Sequence, residues 1–477
     1  RAPVKRALTG YFGAVADSGI ITRHQPHVPA VAGSEQTREM HIMANVAEVP
    51  DPALSALIES DRALIKIGRR IRVLKAIDWP LVLEQRFLEG WRRGQPELPV
   101  PPSQPMVLGD EIAALKDLMR KLDRGHPVGN WLYKTAWSYC VAASMLAGIG
   151  TQEFTRCSTL LYGRPDFRYR SQDVTNADSA AEMLAITDEL VGNQKLPPVP
   201  FDIPAEAFAE MLRERIGPIF DRDDVKIVLD PNLPSKATAS SKRITLRATA
   251  LFSERDLAQL TEHEAFIHTL TALNGQHQPH LKALGLGSPR TTRTQEGLAT
   301  FAEIITGSMD ISRLRRIALR VVMVKRALEG ADFIEVFRGF LEAGQSEIES
   351  YRSAARVFRG GDPHGKICFT KDGAYLEGVM LVHVFIRKVL QEGRGELLRM
   401  LFVGRVTTAD VVALAPFRDS GLIGPATYLP PWARDPQRVL SIMAFSAAAQ
   451  RLRLDKVDLQ RFVDFEDEVI AESGIGG

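Results

Sequence analysis

The sequence predicts an α+β fold that is mostly α. Three observations predict it. Apolar residues recur at helical spacing along most of the chain, and only 225–229 (VKIVL) and 243–248 (RITLRA) are rich enough in Val, Ile and Thr to read as strands. Those two runs also lie together, immediately before one well-framed helix, so a small sheet precedes it. The 477 residues allow two or three domains at roughly 150 residues each. Hydrophobic and charged shares of 45% and 25% exclude a wholly disordered, collagen-like or coiled-coil chain. A net charge of +2 does not mark a nucleic-acid or membrane-surface binder, so neither partner is expected. The longest apolar stretches, such as 139–149, fall short of the roughly 18 residues a membrane-spanning helix needs. Cys140, Cys157 and Cys368 are odd in number and contain no CxxC pair, which points away from a disulfide framework and toward a reducing, cytoplasmic setting.

Residues 1–48 mix Gly, Pro, His and Ser without periodicity and read as a flexible N-terminal tail. The region 49–200 reads as helical. Leu64, Ile67, Ile71 and Leu74 share one helix with Lys66, Arg69, Arg70, Arg72 and Lys75, a solvated basic face rather than an anion site. Further helices are expected over 110–124, 131–149 and 177–192, separated by the Pro-rich breaks QPELPVPPSQP and QKLPPVPFDIP. The region 201–477 opens with the two strands, joined by DPNLPSKATASS, which has hairpin-loop chemistry. Helices follow over 254–273, 294–306, 310–328, 332–359 and 374–391. Ser253 and Asp256 suit the start of the first, and Asn274-Gly275 suits its end.

Within that first helix stands His263-Glu264-Ala265-Phe266-Ile267-His268, an HExxxH motif one residue longer than the HExxH of common zinc peptidases. Two neutral imidazoles suit zinc, and a carboxylate beside the first suits proton transfer from the attacking water. Regular helix geometry opposes this use. An i, i+4 pair is offset by about 40°, an i, i+5 pair by about 140°. A π-type turn of roughly 4.4 residues brings the second ring back to about 50°, so a metal-binding HExxxH predicts a distorted helix. Glu296, early in the helix that begins TTRTQEGLATFA, is a candidate third ligand, with Glu303 two turns later on the same face. His277 and His280 in the GQHQPH loop are rivals that a loop would hold less rigidly.

The segments HEAFIHTLTALNGQ, RTQEGLATFAE and GGDPHGKICFTKDGAYLEG resemble the bacterial flavohaemoglobin-expression-modulating QEGLA-motif proteins, which share a domain with the microtubule-associated tyrosine carboxypeptidases of eukaryotes. The likeness runs over about residues 51–450. It implies a helical zinc-metallopeptidase-like domain with His263, His268 and Glu296 on Zn2+ and Glu264 as the base. It also implies a peptide or protein C-terminus as substrate. A carboxypeptidase needs a cation for the terminal carboxylate, and Arg293, Arg356, Arg359, Lys371 and Tyr375, the last as an oxyanion donor, are the candidates. The arginines of 310–328 read as a solvated face, and His383 as a core histidine. A non-enzymatic, metal-stabilised regulatory protein and a zinc endopeptidase are the alternatives.

Overall fold

The computed structural model describes residues 52–169, 173–192, 197, 199–221, 224–233 and 235–449; the expected tail over 1–48 lies outside them. The fold is α+β and mostly α, and its sheets have only two and three strands. No helix among the described residues is long and apolar enough to cross a membrane.

The expected hairpin is replaced by a different pairing. Lys226–Asp230 and Arg243–Arg247 run parallel, with Ile227 opposite Ile244. The segment between them supplies a third strand, Ala237–Ala239, which turns back antiparallel on Arg243–Arg247. Ala-Thr-Ala carries little strand propensity, so this edge is invisible in the residues alone. A second ladder, Ile203–Pro204 against Leu251–Phe252, brings the chain to the start of the histidine helix.

Several helix bounds differ from expectation. The first helix, Pro52–Gly68, stops before Arg69, and the turn that follows lets both Ile71 and Ile77 reach the core. The 332–359 pattern divides into Phe333–Glu342 and Glu347–Phe358, because Gly344 takes a left-handed φ of 90° between them. The histidine helix does not end at Asn274 but runs on to His277. Asn274 instead donates to the carbonyls of Phe402 and Tyr428, both at 2.8 Å, and so ties the helix to the later chain.

One core links Leu64, Trp131 and Leu146 with Phe208, Phe266, Leu298 and Leu376. A second, aromatic-rich core joins Phe87 to Phe333, Phe337 and Tyr351. The helices Thr292–Ile305 and Ala374–Gln391 meet at Gly297 and Gly378. A Cβ at Gly297 would lie 2.1 Å from the carbonyl carbon of Gly378, and one at Gly378 would lie 2.1 Å from the Arg293 oxygen. The Gly of QEGLA is therefore a packing requirement. Gly297→Ala should force the helices apart and lower stability by about 3 kcal/mol or more, read by denaturant unfolding; an unchanged midpoint would show that this contact is not needed.

Candidate metal centre

The three candidate ligands come from two packed helical elements. Ser253 and Asp256 form a reciprocal capping box that starts the helix Glu254–Leu260. The helix then widens into nine residues of π-helix, Thr261–Thr269, before returning to α-helix over Leu270–His277. The distortion falls on HExxxH, where the i, i+5 spacing requires it. His263 Nε2 and His268 Nε2 lie 3.2 Å apart. Glu296 Oε2 lies 3.6 Å from the first and 3.5 Å from the second. Ligands about 2.0–2.2 Å from a tetrahedral zinc ion would be spaced roughly 3.3–3.6 Å from one another. Among the described residues these three side chains form the one group arranged to hold a metal ion.

Neighbours hold the rings in place. His263 Nδ1 lies 2.6 Å from Glu303 Oε1. Arg313 donates to both oxygens of that fully buried carboxylate, the Nη2 contact being 2.7 Å. With Nδ1 committed to Glu303, the Nε2 lone pair of His263 faces Glu296 and His268. Two backbone carbonyls of this segment also meet side chains. Thr271 Oγ1 lies 2.7 Å from the Ile267 carbonyl, and Arg405 Nη2 donates to the His268 carbonyl at 3.1 Å.

Electrostatics favours a positive charge at this point. Burial alone would lower the His263 pKa, but hydrogen bonds to Glu296 and Glu303 outweigh it and push the imidazole up to about 10. Burial pushes Glu296 upward, yet Lys371 and the two histidines hold its carboxyl well below the usual range. A bound cation would replace the protons that otherwise supply this charge.

Lys371 Nζ donates to Glu296 Oε1 at 2.8 Å and also lies 3.4 Å from the Tyr375 hydroxyl. Arg356 Nη2 reaches the same hydroxyl at 3.5 Å while pairing with both oxygens of Asp372 at 2.7 and 2.6 Å. Glu264, half-buried beside His263, makes no hydrogen bond to another described residue. Arg293 pairs with Glu377 at 3.1 Å. The rival ligands stand apart, His277 exposed against Thr427 and His280 exposed. His383 is half-buried at the edge of Phe301 rather than enclosed in the core.

Neither the Glu303 hydrogen bond to His263 nor the Arg405 contact with the His268 carbonyl is visible in the sequence alone. Contrary to what their sequence suggests, the Ile311–Glu329 arginines are not all solvated. Arg313 and Arg320 turn inward instead, and their i, i+7 spacing is the sign that they share a face. The helix Thr292–Ile305 starts without a side-chain cap: Thr291 donates its hydroxyl to the Ser288 carbonyl and a 3₁₀ turn leads into it.

A mostly helical protein in which two imidazoles and a carboxylate converge from packed helices defines a chain with a site able to hold a metal ion. The sequence profile described as microtubule-associated tyrosine carboxypeptidase matches residues 85–451, and the chain belongs to that family. No curated protein matches it individually.

Proposed function

We propose that this chain is a zinc-dependent carboxypeptidase, on the branch of its family that includes the flavohaemoglobin-expression-modulating QEGLA proteins. The observation that carries the reading is the convergence of His263 Nε2, His268 Nε2 and Glu296 Oε2 at tetrahedral spacing, with Glu264 adjacent and uncommitted. Zinc bound there would supply a Lewis acid that acidifies water and polarises a peptide carbonyl. Glu264 takes a proton from the attacking water and returns it to the departing amine. Lys371 occupies Glu296 Oε1, which leaves Oε2 to the metal. Tyr375 accepts from Lys371 and Arg356, so its own hydroxyl proton is available to the oxyanion that develops on the substrate. The free thiols of Cys140, Cys157 and Cys368 support action in a reducing, cytoplasmic setting.

Glu303 has a positioning role through His263 Nδ1. Glu303→Ala should weaken zinc about 10- to 100-fold, measured by competition with a chromogenic chelator. An unchanged affinity would remove Glu303 from the account. The activity itself is tested by incubating the full chain with zinc and a mixture of synthetic peptides, then reading the products by mass spectrometry. Loss of single C-terminal residues, stopped by a chelator and restored by zinc, is expected. Internal cuts would favour an endopeptidase, and intact peptides a non-enzymatic role.

A further inference from the structure

Beside the metal group lies a cluster of cations with too few acids. Arg320, Arg356 and Arg359 surround one carboxylate, Asp372, which is 1% exposed. Arg356 takes both oxygens of Asp372 in a bidentate pair. Arg320 is left at 3.7 Å from it, and Arg359 makes no ion pair with a described residue. The Nε atoms of Arg320 and Arg359 are both buried without a hydrogen-bond partner. Burial and then repulsion from Arg356 lower their pKa values, to about 9 for Arg320 and about 10 for Arg359. A buried guanidinium without its acceptors is costly, and an incoming anion relieves both deficits.

The other cations nearby each have an acceptor for a terminal nitrogen, although Arg293 and Arg405 also bury an Nε without a hydrogen-bond partner. Lys371 holds Glu296, Arg313 holds Glu303, and Arg293 holds Glu377. Arg405 has no carboxylate either, but its Nη2 is on the His268 carbonyl and its Nη1 lies where a Cβ of Gly287 would be. The cluster is joined to the metal group by short steps. Arg356 reaches Tyr375, Tyr375 reaches Lys371, and Lys371 reaches Glu296, at 3.5, 3.4 and 2.8 Å.

The geometry points to Arg320 and Arg359 as the site that binds the terminal carboxylate of the peptide substrate. This rests on the carboxypeptidase reading. A residue spans about 3.5 Å, so a carboxylate held here leaves the preceding carbonyl one residue closer to the metal, beside the Tyr375 hydroxyl. Two planar forks suit a carboxylate better than point charges do.

The test measures binding rather than turnover, in the zinc-loaded full chain carrying Glu264→Gln so that the peptide stays intact. The probe is an N-acetylated peptide of uncharged residues ending in tyrosine, as free acid and as amide, titrated by calorimetry. With Arg320 and Arg359 present, the free acid should bind at least about tenfold tighter than the amide. Adding Arg359→Gln or Arg320→Gln should bring the two affinities to within about twofold, mainly by weakening the acid. Should either glutamine variant fail to fold, Arg359→Lys, which keeps the charge but loses the fork, should reduce the preference partially. A preference that survives all three variants would overturn the assignment while leaving the carboxypeptidase reading intact. Equal binding of acid and amide before any arginine is changed would overturn it as well. Failure of the broader reading would show separately, as absence of C-terminal trimming by the unsubstituted chain.

Discussion

The Glu264→Gln chain is expected to keep its zinc and its fold while losing peptidase turnover by about two to four orders of magnitude. Gln has the shape of Glu but does not accept a proton at neutral pH. The proposed ligand atoms, two Nε2 and one Oε2, are untouched by the change. No hydrogen bond to another described residue depends on the Glu264 carboxylate, so little stability is at stake. The measurement is steady-state cleavage of a free-acid peptide together with metal analysis of the same sample. Retained zinc with unchanged turnover would assign the base to another residue.

An amidated peptide should be cleaved at least about a hundredfold more slowly than its free-acid twin, a difference of ~2.7 kcal/mol in the transition state. Amidation removes the charge and one of the two oxygens that a guanidinium fork grips. It also leaves the cations around Asp372 and Tyr375 facing a neutral group in a largely buried setting, where an unpaired charge is expensive. Rates for the two peptides, measured below saturation with identical enzyme, decide the matter. Equal rates would reject recognition of the chain terminus.

Much of this centre was legible in the sequence. The angular mismatch of His263 and His268 on a regular helix already demanded a wider turn, and the π-helix over Thr261–Thr269 provides it. Ser253 and Asp256 marked the start of the helix, and 374–391 was framed to within a residue. What could not be read depended on packing between distant segments. Glu303 and Glu296 share a helix face, but only the seating of Thr292–Ile305 against the π-helix decides which of them meets Nε2 and which meets Nδ1. The inward arginines of Ile311–Glu329 were hidden because arginine is normally solvated, and only Glu303 and Asp372, brought in from other elements, make burial tolerable. The parallel pairing of Lys226–Asp230 with Arg243–Arg247 was missed because the strand that displaces the hairpin is three residues of low propensity.

Metal analysis of the purified full chain tests the central claim most directly, with His263→Ala, His268→Ala and Glu296→Ala measured beside it. One zinc ion per chain is expected in the unsubstituted protein, with stoichiometric zinc lost from each variant while circular dichroism still reports a mostly helical fold. One zinc per chain persisting in His263→Ala, or a zinc-saturated buffer leaving the unsubstituted chain without bound metal, would contradict it.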